Sequence, residues 1–512
     1  MMKKMLLLLL LSFSTVDGFE WPEQTPEAAG LDAAYLNAAI AQIQSGEVGQ
    51  IRSLIIIRDG QLVTERYFNN SGEKRPVFSV TKSIGSALLG IAAYQGAEIN
   101  PAASILDYLP QYDNVPNRAQ VSQITLHDLL NQRHGYRWDE WSTPFTDPAN
   151  PVYQMMGTFD WYRTATQWSV LTTPDQLFAY SSGHSSLMSP ILQNRTGRDV
   201  YEFAQAELFD PLDITDTDWN VFDPRNPSQG ITDFPWGLQP MGFGLWMKPI
   251  DLAKVGELYR LNGVWQGERL LGEEWISQSV VRYSDGNSDP AVFSSEYAGY
   301  GYQWWITRLT DDRGRPFDMY YANGFGRQYI FVIPQINTVI VSTAADYNTS
   351  STTPGMGTVL RENLLLAFGT DELPPFPMSS DLNGSWYDPA TNGQGINIEI
   401  LNEGQTFLGY WYTFDATGDH QRWFTLQGEV VNDVASFQII STTGGVFVDP
   451  ATVELSVWGS GTMSATDCLS ATFTFSSEVE SVAGEIPLSR LTGSTGGCVN
   501  SNQQAQPGPR LY

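Results

Sequence analysis

Lysine is almost missing from this chain. Beyond Lys3 and Lys4, only Lys74, Lys82, Lys248 and Lys254 occur in 512 residues. The 28 basic residues face 56 acidic ones, for a net charge of −28. A field of that sign repels phosphate backbones, which argues against a nucleic-acid partner. Solubility, also in a salty medium, is the plainer meaning of the charge. Cysteine is confined to Cys468 and Cys498, both near the C-terminus. In an exported protein these two are expected to form one disulfide. The four histidines, His127, His134, His184 and His420, have no paired spacing, so no metal and no cofactor is expected. Gly-x-Ser-x-Gly occurs nowhere, which leaves an α/β-hydrolase elbow unsupported. No stretch beyond the first residues is apolar for long enough to cross a bilayer, and no transmembrane segment is expected.

What is present begins with a leader. Lys3-Lys4, the apolar run Met5 to Leu11 and the small-residue stretch to Gly18 read as a signal peptide over residues 1–18. The chain is therefore expected to be exported, to the periplasm or the outside of the cell. Residues 19–372 read as one α+β domain. Ile51 to Arg58 and Leu62 to Phe68 flank Asp59-Gly60, a hairpin signal. Tyr302–Ile306, Tyr329–Ile333 and Thr338–Ser342 read as further strands, and helices fill much of the middle. Strands at both ends of a helical region predict one antiparallel sheet flanked by helices. A Pro-rich linker at 373–381 leads to short alternating strands over 382–500, a small all-β domain, and to a disordered tail at 501–512. Exposed aromatics in the β domain point to a carbohydrate or surface ligand, with a structural appendage as the equal alternative.

The chemistry concentrates at Phe78-Ser79-Val80-Thr81-Lys82, at the mouth of an apolar helix. Residues at i and i+3 share a helical face. A lysine held there in a dry site can lose its proton and act as a base. The serine lies where the first turn presents free N–H groups to developing negative charge. Ser71-Gly72-Glu73-Lys74 has the same spacing, but its turn-forming neighbours read as a solvated loop. Tyr180, in Tyr180-Ser181-Ser182, is the candidate proton shuttle, with Tyr112 as its rival. His184 reads as a satisfied helix histidine. Any single one of Trp138, Trp141, Trp161, Trp168, Trp246, Trp304 and Trp305 reads as packing, although together they could line a broad cleft.

Ser79-x-x-Lys82, Tyr180-Ser181-Ser182 and Asn323-Gly324-Phe325-Gly326, in that order, resemble the serine β-lactamase and penicillin-binding-protein superfamily. The likeness is greatest to class C β-lactamase-like esterases and 6-aminohexanoate-dimer hydrolases, and it covers about residues 25–368. Ile124 to Leu130, Tyr136 to Glu140 and Met247 to Lys254 are similar as well. The resemblance implies a β-lactamase/transpeptidase-like fold with an inserted helical region. It implies Ser79 as nucleophile, Lys82 as its base and Tyr180 as the proton carrier to the leaving group. The N–H groups of Ser79 and Phe325 would form the oxyanion site, with Ser182, Asn323 and Gly324 beside the substrate.

Two departures bear on the substrate. Ser182 stands where the family's β-lactamases carry asparagine, and Ala322-Asn323-Gly324 stands in place of Lys-Thr-Gly. The groups that grip a β-lactam carboxylate are thus missing, and Arg327 is as well read as structural as functional. The expected activity is hydrolysis of small esters or linear amides through an acyl-serine. A D-amino-acid peptidase, transpeptidase or β-lactamase is the second reading, and a non-catalytic binding protein on the same scaffold the third.

Overall fold

Ile51–Arg58 (β1) is a near-continuous apolar strand, and such strands are buried on both faces. The computed structural model describes residues 18–492, apart from 69–71, 224–225, 235–236, 285–297, 314, 348–353, 370–377, 392, 402–404, 416, 432, 446–452 and 467–468. The leader, Cys468, Cys498, most of the linker and the 501–512 tail therefore lie outside the described residues.

β1 turns through Asp59 and Gly60, both at positive φ (50° and 76°), into Gln61–Tyr67 (β2). Two positive φ values match the twist that a two-residue hairpin needs. The other strands of this sheet come from far along the chain: Gly299–Tyr300 (β3), Trp305–Thr310 (β4), Pro316–Gly324 (β5), Gln328–Ile333 (β6) and Thr338–Ala344 (β7). The order is β3-β4-β5-β6-β7-β1-β2, and every neighbour is antiparallel. β1 pairs with β7 from Ile51↔Ala344 to Arg58↔Thr338. The two ends of the domain thus close one antiparallel sheet, as expected from the sequence.

Alternate side chains of the central strands feed two cores. Ile55, Ile57, Ile330, Val332, Val339 and Val341 face one side, where Pro249–Arg260 and the inserted helices pack. Leu54, Ile56, Phe331 and Ile340 face the other, against Ala33–Ser45 (α1) and the helical segment 356–367. Val80–Tyr94 (α2) is buried along its length from Val80 to Ala92. A helix apolar all round belongs in a core, and here it carries Ser79 and Lys82 into the middle of the domain.

The C-terminal residues form a closed barrel of eight strands, from Gly384–Tyr387 (β8) to Val482–Arg490 (β15). Closure comes from β8 pairing with β15 at Trp386↔Arg490 and Tyr387↔Ser489. Alternating residues such as Ile396, Ile398 and Ile400 point into its core. Closing the ring removes the edge strands that an open sheet would expose.

Candidate active site

Ser79 is the N-cap residue of α2, and the turn before it is tight. Phe78 holds φ at +48°, an uncommon value for a bulky side chain. Lys82 follows one turn into the helix and is 1% exposed. Its Nζ donates to Ser79 Oγ (2.9 Å), Ser182 Oγ (2.9 Å) and the Gly242 carbonyl (2.8 Å). Three acceptors match the three protons of an ammonium. Burial nevertheless pulls its pKa down to about 8, with the Glu140 carboxylate pushing the other way.

Ser182–Ser186 (α3) places the second group. Ser181 caps it by accepting from the His184 N–H at 3.0 Å, which sets Tyr180 just before the helix and Ser182 in its first turn. Tyr180 turns its ring to Lys82, with Nζ 4.7 Å from the ring centroid. Trp141 and Trp305 stack on Tyr180 at 5.0 and 5.5 Å. Of the seven tryptophans singled out from the sequence, these two flank Tyr180 directly, while Trp138 reaches the site through Glu140.

Glu140 is the site residue that sequence reading passed over. It is 2% exposed. Its Oε1 accepts from the Ser182 hydroxyl (2.7 Å), and its Oε2 accepts from the Ser182 N–H (2.7 Å) and from Trp138 Nε1 (2.6 Å). Buried carboxylates need such donors. A chain Ser79–Lys82–Ser182–Glu140 results, in which Ser182 both receives from the amine and gives to the acid. The available cues were its place at the end of the Tyr136 to Glu140 stretch and the acid pair Asp139-Glu140 between Trp138 and Trp141.

The third segment closes the mouth. β5 ends at Gly324, which passes so close to Val77 that a Cβ there would lie 2.1 Å from its carbonyl oxygen. Only glycine fits such an approach. Phe325 follows, 46% exposed, with its ring 5.5 Å from that of Phe78. Ser79 and Phe325 both line one opening, and among the described residues no acceptor is found for either backbone N–H. Phe325 and Ser182 line the cavity that opens beside Ser79, whereas Asn323 and Gly324 do not.

Other candidates sit elsewhere. His184 is fully buried, with Nδ1 2.6 Å from Ser181 Oγ, Nε2 3.1 Å from the Ala165 carbonyl and its ring stacked on Tyr136 at 4.0 Å. Burial and neighbouring His134 hold its pKa well below the ordinary value. It is a packed, hydrogen-bonded histidine. Tyr112 is buried against Asp160, to which its hydroxyl donates at 3.2 Å. Lys74 is tied to Asp216 (2.7 Å) and Asp218 (2.8 Å) at the surface. Arg327 Nη1 donates to Asp346 (3.3 Å) and to the Pro354 carbonyl (2.8 Å), underneath the site.

A family model described as Beta-lactamase matches residues 46–359, well over half of the chain. The chain belongs to the β-lactamase family. The 6-aminohexanoate-dimer hydrolase of Paenarthrobacter ureafaciens is 23% identical over 309 residues, covering 56% of this chain and 71% of the relative. A structure from Bacteroides dorei DSM 17855, described as a beta-lactamase, superposes with a TM-score of 0.51 at 18% identity, covering 66% of this chain and all (100%) of the other. The octameric penicillin-binding protein homologue from Pyrococcus abyssi reaches 0.49 at 16% identity, covering 90% and 100%. Family membership fixes the fold of the N-terminal domain. Among the described residues no helix is long and apolar enough to cross a membrane.

Proposed function

We propose that this family member is an exported serine hydrolase that cleaves small esters or linear amides through an acyl-Ser79 intermediate. The observation that carries this reading is the buried Lys82 amine, 2.9 Å from Ser79 Oγ, with a pKa drawn down to about 8. At neutral pH about one lysine in ten is then unprotonated, enough to serve as a base. Neutral Lys82 takes the proton as Ser79 Oγ attacks the carbonyl carbon. The oxyanion is held by the N–H groups of Ser79 and Phe325, each such donor being worth roughly 3 kcal/mol in the transition state. Tyr180 delivers a proton to the leaving oxygen or nitrogen as its bond to carbon breaks. In the second half, water attacks the acyl-serine while the same groups take its proton and return one to Ser79.

Two features favour esters and linear amides over β-lactams or cell-wall peptides, which carry a carboxylate. Ala322 replaces the family's lysine. Arg327, the nearest cation in sequence, is engaged by Asp346 and the backbone. Independently of the carboxylate, the Paenarthrobacter relative is named for a 6-aminohexanoate dimer, whose units are joined by an amide.

The test is turnover of p-nitrophenyl acetate and butyrate by the wild type and Ser79→Ala, with intact mass of the quenched protein. An acyl adduct on Ser79 and loss of turnover in the variant are expected. Equal rates in both proteins would sink the proposal.

A further inference from the structure

The cavity beside Ser79 holds about 430 Å³, within the range of pockets that enclose small ligands. Its lining is mostly apolar, with Phe78, Phe145, Val152, Met156, Phe243 and Phe325, and also carries the polar side chains of Thr146 and Asn220. The rings of Phe78, Phe145, Phe325 and Tyr347 stand 5.5 to 5.9 Å apart in linked pairs. Aromatic walls at these spacings form a continuous apolar surface. Among the described lining residues the one charge is Asp223, and the protein as a whole carries −28.

The direction of the cavity decides which part of a substrate enters it. Lys82 and Tyr180 do not line it. In the proposed mechanism Lys82 faces the Ser79 hydroxyl and Tyr180 faces the leaving atom. The cavity opens on Ser79 and is lined by Phe145, Val152 and Met156 as well; a substrate whose leaving atom meets Tyr180 would place its acyl group against these residues.

We infer that this cavity is an acyl pocket selective for neutral, apolar acyl chains of about six to eight carbons, and that it turns away acyl groups ending in a carboxylate. The inference rests on the serine-hydrolase reading of Ser79 and adds its substrate class. Each methylene moved from water into an apolar wall favours binding about fourfold. An anionic end placed against phenyl rings and Asp223 loses most of its water, and the neutral side chains of Thr146 and Asn220 supply no opposite charge to compensate it. The bond changes are those of ester hydrolysis: the carbonyl carbon loses the alkoxide, gains Ser79 Oγ, and then exchanges it for water.

The test is kcat/KM for p-nitrophenyl esters of fixed leaving group: acetate, butyrate, hexanoate, octanoate and the half-ester of adipic acid. The expected profile climbs about threefold to fourfold per methylene up to hexanoate or octanoate. The adipate half-ester, matched in length to hexanoate, should fall at least tenfold below it. Met156→Trp, which fills the pocket, should lower the ratio of hexanoate to acetate turnover at least tenfold. A flat or falling profile, or an adipate half-ester equal to hexanoate, overturns the acyl pocket while acetate turnover at Ser79 leaves the hydrolase reading standing. No Ser79-dependent turnover of any ester overturns both.

Discussion

Ser182 gives its hydroxyl proton to Glu140 at 2.7 Å, and the same oxygen receives from Lys82 at 2.9 Å. The carboxylate thus acts on the amine through one hydroxyl, raising a pKa that burial alone would lower further. Glu140→Gln removes that negative charge. The lysine pKa should then fall below about 8, and since the neutral amine is the base, the rising limb of the kcat/KM–pH profile should move to lower pH. The plateau should drop as well, because glutamine offers one acceptor oxygen where the carboxylate offers two, so either the Ser182 hydroxyl or the pair Ser182 N–H and Trp138 Nε1 loses its acceptor. Each buried donor left unpaired costs about 1–3 kcal/mol, which a denaturant titration reads. A limb that stays in place would refute the link between Glu140 and Lys82.

The depressed lysine pKa also makes stability depend on pH. A lysine in the unfolded chain titrates near its ordinary value of 10.5, while folded Lys82 titrates at about 8. Between these values the unfolded chain holds a proton that the folded chain has shed, so folding is favoured more as pH rises. Relative to Lys82→Met, the wild type should gain roughly 2 kcal/mol of stability between pH 8 and pH 10. Urea midpoints of both proteins at the two pH values measure this. A constant difference would mean that Lys82 is not desolvated.

Tyr180→Phe keeps the ring and removes the oxygen. The stack on Trp141 and Trp305 and the contact with Lys82 at 4.7 Å need only the ring. The fold should survive, with a melting temperature close to the wild type. Loss of a proton carrier typically costs 10²–10⁴ in rate, so kcat for p-nitrophenyl butyrate should fall by about that factor. Turnover within about threefold of the wild type would remove Tyr180 from the mechanism.

Much of this architecture was legible because local patterns and tertiary demands coincide. The β1–β2 hairpin, α2 with its Ser-x-x-Lys face, and the β6–β7 pair sit where periodicity and turn residues put them. Thr125 caps Leu126–Leu130 with a capping box closed by Asp128, a spacing that the sequence carries locally. β5 was seen only at its glycine end. Phe317 through Ala322 are all buried, so the strand has no alternation to read. Its one acid, Asp318, is held by Arg308 on β4 at 2.7 Å, a pairing invisible before the strands are aligned. Glu140 stayed hidden because it meets Ser182 across 42 residues, and no local spacing encodes that meeting. In the C-terminal domain, alternation gave strands, but barrel closure depends on β8 meeting β15, about a hundred residues later.

Arg327 separates a structural role from a substrate-binding one. It sits beneath Phe325 with a positive φ of 71°, and its ion pair with Asp346 is almost out of solvent, at 10% and 1% side-chain exposure. Asp346 also accepts from the Gln50 N–H at 2.8 Å, tying the loop before β1 to the end of β7. Taking away one partner of such a buried pair leaves the other charge uncompensated and typically costs about 3–5 kcal/mol. Arg327→Leu should therefore lower stability by about that amount. Its KM for a neutral ester such as p-nitrophenyl butyrate should rise little in protein that remains folded, because the guanidinium faces Asp346 and Pro354 rather than the cavity. A variant of wild-type stability whose KM rises tenfold would reverse the assignment and make Arg327 a substrate-binding group.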